Sequence, residues 1–456
     1  MLEKHFPEVV KSAPELIAQQ FERAGQNEKA IHFWRQAGER DLRRFAMKES
    51  IAHYSNARRL VLAIPENPQR SALELEVCLR LAQAQQIGIG PTAKEAALNY
   101  QQALTLSHTL PERGRERFLA TWGIWFHHTV SGRTTEAAAL ADELVTIARE
   151  LNNTDLLVEA YHARVPTLMR KPDFAGMRET AQEVIRLYDR ERHRDHAYYF
   201  GGHDARVCAQ SFYAMSLWGL GLPDQAEQMA WQCITDGRAL GHSFSLAHGL
   251  NMGSVTFLLL NDVSACQTVV DELHPLAERN KFFWPLKQAR FLRGWLTAQE
   301  TDVDAGAQQM LSAINEPGSA VLQSILLGLV AAQQIGAGRL DAAITTLDHA
   351  MKEIREQRTR FYEPEIIRLG GEILLARSPG DASQAEAAFR HAKAVAAEQS
   401  CRILELRAAV SLAKLLGGSG RKAEARDALA PVHGAFTEGF ARADLQAAKT
   451  LLAGLS

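Results

Sequence analysis

The chain has 456 residues, more than one ordinary hydrophobic core accommodates. Its 51 basic and 53 acidic residues leave a formal charge of −2, so no global field draws it to nucleic acid or to an anionic membrane. Five cysteines, odd in number and never spaced as CxxC, argue against a disulfide framework or a thiolate zinc site and point to a reducing, cytoplasmic setting.

The first residues, Met1 to Pro14, hold no apolar run of signal-peptide length. Helical periodicity then begins. Leu16, Ile17, Ala18 and Phe21 make one stripe ending at Gly25, and Ala30, Ile31, Trp34 and Ala37 make the facing stripe. The turn between them, Gly25-Gln26-Asn27-Glu28-Lys29-Ala30, has counterparts at Gly132 to Ala137, Gly221 to Ala226, Gly338 to Ala343 and Gly420 to Ala425. A small turn followed by a helix-facing alanine thus returns about every 40 residues, the mark of stacked two-helix units.

Residues 1–46 read as the first unit, and 47–110 as helical with a weaker repeat. Residues 111–189 hold pairs Arg115–Thr129 with Thr134–Leu151 and Asp155–Arg170 with Asp173–Tyr188. The rhythm breaks at 190–204, RERHRDHAYYFGGHD, and such interruptions are where function tends to sit. Its Tyr198, Tyr199 and Phe200 are expected to pack on the scaffold, or to overhang an inner face near Trp218 and help close a binding site. Pairs resume over 205–433, one helix starting near Ala320, and 434–456 is expected to cap the array. Val255 to Leu260 and Ile325 to Ala332, the longest apolar runs, are too short to span a bilayer.

Within a unit, small residues recur twelve apart, as in Ala214 and Ala226, Ala331 and Ala343, and Ala413 and Ala425. They permit close helix crossing. The fold class expected is all-α: a right-handed α-solenoid of tetratricopeptide-like helix pairs, forming a single array over 1–456 with helices longer than those of a 34-residue unit.

Signs of catalysis are few. Gly417-Gly418-Ser419-Gly420-Arg421-Lys422 lacks phosphate-loop spacing and reads as an inter-helix turn. His193, His196, His203 and Asp204 are metal-ligand types without a ligand spacing, and Asp204 reads as a helix N-cap. No metal, cofactor or catalytic residue is expected. In such a fold the first helix of each pair lines the inner face. Trp122, Trp218, Trp295, Arg206, Arg290, Arg368 and Arg407, with His203 and Asp204 of the interruption, are the candidate contacts for a partner, because Trp and Arg dominate binding hot spots.

Several stretches carry a more specific likeness: PELIAQQFERAGQNEKAIHFWRQAGER, GGHDARVCAQSFYAMSLWGLGLPDQA, HSFSLAHGLNM, FWPLKQARFLRGW, and LELRAAVSLAKLLGGSGRKAEARDALAPVHGAFTEGFARADLQAAKTLL. The chain resembles the C-terminal tetratricopeptide region of large bacterial signalling proteins. In these the array follows a STAND-type P-loop ATPase, often behind a class III nucleotide cyclase, a protein kinase or a DNA-binding domain. The segment LEKHFPEVVKSAPEL looks like the junction after the ATPase. The resemblance implies a non-catalytic cytoplasmic scaffold or sensor taking a protein, peptide or effector in its groove, an ATPase or cyclase domain being one candidate partner. The alternative is the regulatory part of a longer protein whose catalytic domains lie upstream. No cyclase or ATPase motif is present to carry such activity over.

Overall fold

A computed structural model describes residues 12–90, 92–170, 172–316, 322–380 and 382–455. Residues 2–11 of the expected junction, which runs over 2–16, and the expected helix start at Ala320 lie outside the described residues. Those described are helical, with no β-strand among them. No helix among them is long and apolar enough to cross a membrane.

Two compact units divide the chain: residues 1–163 with 189–203, and residues 164–188 with 204–456. In the first unit the helices are α1 (Pro14–Arg23), α2 (Asn27–Arg43), α3 (Met47–Leu62), α4 (Pro68–Gly88), α5 (Lys94–Thr109), α6 (Gly114–Val130), α7 (Thr134–Glu150) and the first turns of α8 (Thr154–Arg170). The short α10 (Arg190–His193) and a 3-10 turn at His196–Tyr198 belong to it as well. From α1 to α7 each helix packs on the next, and α4 also packs on α6. Short connections make successive helices antiparallel. The region 47–110, weak in repeat signal, is three regular helices.

The second unit holds the end of α8, then α9 (Phe174–Leu187), α11 (Ala205–Gly219), α12 (Pro223–Ala239), α13 (Ser243–Leu259), α14 (Val263–Asn280), α15 (Phe283–Glu300) and α16 (Val303–Asn315). Next come α17 (Gln323–Gly336), α18 (Leu340–Gln357), α19 (Glu363–Arg377), α20 (Ser383–Glu398), α21 (Arg402–Gly418), α22 (Lys422–Gly434) and α23 (Ala443–Gly454). The first helices of the pairs, α11, α13, α15, α17, α19 and α21, touch one another in sequence and form the inner layer. The partners α12, α14, α16, α18, α20 and α22 each pack on the helices before and after them. This is a tetratricopeptide-like stack of helix pairs.

The turn glycines explain the repeat phrase. Gly25, Gly132, Gly221, Gly338 and Gly420 all adopt φ between 69° and 81°, a left-handed conformation that glycine takes without steric cost. Other turns use Asn261, Lys281, Arg358 or Ser400 in the same region, which hides them from a search for glycine.

The second unit also closes on itself. The inner helix α11 meets α21. Glu438 accepts hydrogen bonds from the Asp224 and Gln225 N–H groups at 2.9 and 3.0 Å, capping α12 from the far end of the chain. Arg442 donates to Asp224 at 3.0 Å and pairs with Glu227.

Packing at the twelve-residue offset is tight. Ala214 and Ala226 are both fully buried. Replacing Ala226 by Trp forces α12 away from its neighbours and should cost at least about 1–3 kcal/mol. Thermal unfolding measures this; an unchanged melting temperature would show that Ala226 is not at a helix contact.

Candidate functional site

The residues expected to face a partner are for the most part committed inside the fold. Trp122, Trp218 and Trp295 are at most 1% exposed. These three, expected to line an inner face, have buried side chains in the structure; the inner helix α13 buries 14 of its 17 residues. Arg407 donates to Asp444 and to the Leu259 carbonyl, both at 2.9 Å, with its guanidinium 5.8 Å from the Trp218 ring. Arg368 pairs with Glu365 at 2.8 Å and Glu372 at 3.0 Å. Arg206 pairs with Asp236 and the half-exposed Arg290 with Glu316. Asp204 is the N-cap of α11, accepting from the Arg206 and Val207 N–H groups at 3.0 Å. These groups tie the second unit together and do not converge on a groove.

In the first unit the side chains of α8 and of 189–203 do converge. Asp155, Glu159 and His162 fall at i, i+4 and i+7, one face of α8. Against that face lies the segment expected to interrupt the array. Asp189 caps α10 by accepting from the Arg192 N–H at 2.9 Å. After α10 the 3-10 turn closes with the Tyr199 and Phe200 N–H groups on the His196 carbonyl, both at 2.9 Å. Gly201 and Gly202 then turn with φ of 74° and 84°.

These turns bring the histidines onto α8 one after another. His193 Nε2 lies 3.2 Å from Asp155 Oδ1. His196 Nδ1 donates to Glu159 Oε1 at 2.8 Å, and His162 Nδ1 donates to Glu159 Oε2 at 2.9 Å. His162 Nε2 and His203 Nε2 stand 3.1 Å apart, and His203 Nδ1 donates to the Gly201 carbonyl at 3.1 Å. The Trp122 indole closes the set from α6, donating to the Glu159 carbonyl at 3.3 Å.

Glu159 is 1% exposed. Burial pushes its carboxyl up, but the hydrogen bonds and charge of His162 and His196 outweigh burial and hold it at about 2. It therefore stays ionised at any physiological pH.

The aromatics of this segment pack on the scaffold. Tyr199 lies under the Arg80 guanidinium at 4.3 Å, donates to Glu39 at 3.1 Å and accepts from Arg43 at 3.3 Å. Phe200 meets Trp122 at 5.3 Å and Phe118 at 6.1 Å, and Tyr198 meets Phe45 at 5.9 Å.

In front of the buried set opens a cleft of about 440 Å³. Leu79, Leu119, Leu156, Tyr199 and Phe200 supply its apolar lining, and Glu76, Arg80, Arg115, Glu116, Asp155, Arg192, Asp195 and His196 its charged groups. His196 is the member of the buried set that reaches it. The volume and the mixed lining suit a short peptide segment or a small polar ligand. Chemically, the buried set can hold a proton and orient the His196 ring. Of the candidate partner contacts from sequence, only Trp122 and His203 belong to this set, and both sit behind the cleft. Glu159, His162 and Arg115 went unnoticed, although the Asp155, Glu159, His162 spacing on one helix face is visible in the sequence.

No family model matches the chain. An uncharacterized protein of Rhizobium meliloti (strain 1021) is 26% identical over 408 residues, covering 88% of this chain and 39% of its own length. The chain thus spans about two fifths of the curated relative it matches. Among solved structures, a Rap protein complexed with Competence and Sporulation Factor has a TM-score of 0.46 at 11% identity, covering 94% of this chain and all of its own. Yeast Tom70 has a TM-score of 0.35 at 12% identity, covering 97% of this chain and 95% of its own, and the apo form of RapI has 0.35 at 7%, covering 89% and 97%.

Proposed function

We propose that this chain is a non-catalytic scaffold or sensor module of bacterial signal transduction, a single array of helix pairs that binds a peptide or protein segment. The observation that carries the reading is the cleft of the first unit, which offers apolar and charged walls side by side. An extended segment fits such a surface, its apolar side chains on Leu79, Leu119 and Leu156 and its polar groups on the rim. Hydrogen–deuterium exchange tests this with the full chain and pools of short peptides. A bound peptide should protect 153–156 and 192–200. Protection confined to other regions would sink the assignment of the cleft.

A second reading has its own support. The Rhizobium relative extends well beyond the matched region, so an array of this kind also occurs within a longer chain. On that reading the module is the regulatory C-terminal part of a STAND ATPase or cyclase-type protein, and its peptide is a segment of an ATPase or cyclase domain. An antibody to the array decides between the two. A native band near 50.5 kDa favours the separate scaffold, and a much larger band favours the regulatory part.

A further inference from the structure

The charges lining the cleft do not all cancel. Each of its carboxylates already has a cation. Glu76 pairs with Arg35, Glu116 with Arg113, Asp155 with Arg192 and His193, and Asp195 with Arg43. Of the arginines, Arg192 is taken by Asp155, and Arg80 lies 3.7 Å from Glu39. Arg115 is exposed and makes no ion pair among the described residues. His196 has spent Nδ1 on Glu159 and has Nε2 left for the cleft it lines.

We propose that the cleft takes a peptide bearing a carboxylate, which Arg115 and His196 receive together, and that binding takes up a proton on His196. The inference rests on the cleft being the binding site and names the chemistry of its ligand. The geometry sets the proton step. Glu159 accepts from Nδ1, so the neutral ring is the Nδ1–H tautomer and turns a bare lone pair at Nε2 toward the cleft, which repels a carboxylate. Once Nε2 gains a proton from solvent, the ring donates on both sides, to Glu159 behind and to the ligand in front. No covalent bond forms or breaks.

The groups facing His196 support this sign. Glu159 from α8 faces Nδ1 at 2.8 Å, and it stays ionised to about pH 2. His193 lies 4.8 Å away ring to ring and is itself against Asp155. Across the cleft, Glu116 of α6 and Glu76 and Arg80 of α4 are engaged with other partners, as is Asp195 beside the ring. A carboxylate therefore meets Arg115, which has no ion pair among the described residues, and His196 Nε2 once it carries a proton, whereas each carboxylate that a cationic ligand would meet in the cleft is already paired.

The test measures fluorescence anisotropy on the full chain with four labelled pentapeptide pools: acidic with an amidated C-terminus, neutral with a free C-terminus, neutral amidated, and basic amidated. The first two differ in whether the carboxylate comes from a side chain or from the chain end, and tighter binding by either supports the proposal. Because binding takes up one proton, affinity for that pool should fall as pH rises, by up to about tenfold per pH unit. Arg115→Gln, at an exposed position, should weaken it about tenfold while leaving the neutral amidated pool unchanged. His196→Gln should flatten the pH dependence. Preference for the basic pool, pH-independent affinity, or full affinity in Arg115→Gln each overturns the proposal. Glu76→Trp, which fills the cleft from its rim, separates the two failures. If it leaves every pool's affinity intact, or if no pool binds, the cleft reading itself falls.

Discussion

Replacing Glu159 by leucine should release 189–203 from α8 and destabilise the first unit by roughly 3–5 kcal/mol, the usual cost of breaking a buried charged network by removing one partner. The carboxylate holds α8 and the segment at once, through His162 on its own helix and His196 across from it. Leucine leaves the ring N–H groups of His162 and His196 without an acceptor, and of the polar contacts between the segment and α8 only those of Asp155 with His193 and Arg192 and of His162 with His203 remain. The pH dependence has a definite sign. The carboxyl of Glu159 is lowered from 4.5 to about 2 in the folded chain. Its contribution is complete above the unfolded value and is lost as pH falls from about 4.5 through about 2, an effect of about 3 kcal/mol. Amide exchange over 189–203 reports the release, and urea unfolding at pH 7 and pH 2.5 reports the energy. Glu159→Gln should lie well below the native chain at pH 7 and approach it at pH 2.5. An equal gap at the two pH values would refute the ionised state of Glu159.

Most of the helix boundaries were legible because two local signals agree. The apolar stripes of α1, α2, α7 and α9 have the 3.6-residue period, and turn glycines in the left-handed region end many of the helices. The stripe is weakest where burial is most complete. On α13 the residues Leu250, Met252, Val255, Phe257 and Leu258 are all within 1% of full burial, and they point in every direction around the axis. A helix with no solvent face carries no phase information.

That loss of phase is also why side chains such as the buried Trp218 and the largely buried Arg407 read in sequence as candidate contacts. Trp218 and Arg407 lie on inner-layer helices, as the repeat pattern implies. The closing of α11 on α21 then turns their surface into interior, and nothing local in 205–219 announces a contact with a helix nearly 200 residues later. The cleft was hidden for a related reason. His196 is readable as a loop histidine, but its role depends on Glu159, 37 residues earlier and unremarkable in sequence. Its partner Arg115 counts only because the neighbouring carboxylates are already paired, which is a fact about tertiary neighbours.

A close backbone approach of two helices in the second unit gives the other large effect. Gly294 on α15 and Gly306 on α16 are twelve residues apart, the same offset as the alanine pairs, but here the contact is tighter than alanine allows. A Cβ at Gly306 would stand 2.5 Å from the Ala298 nitrogen and the Gly294 carbonyl oxygen, and 2.6 Å from Ala298 Cβ. Two of those three are backbone atoms, so no side chain can swing aside and the helices themselves must part. Parting them loosens Trp295 and Met310, both fully buried beside the contact. Gly306→Ala should therefore cost about 2–4 kcal/mol, even though alanine is the better helix former by about 1 kcal/mol. Gly306→Leu should cost more and leave the second unit partly unfolded at 37 °C. Gly370, inside α19, is the counterpart with open space: no atom lies within 4 Å of a Cβ built there. Gly370→Ala should stabilise by about 0.5–1 kcal/mol through helix propensity alone. Thermal unfolding of the two alanine variants should thus move in opposite directions from the parent. If Gly306→Ala melts at or above the parent temperature, the backbone contact between α15 and α16 is not as close as these distances require.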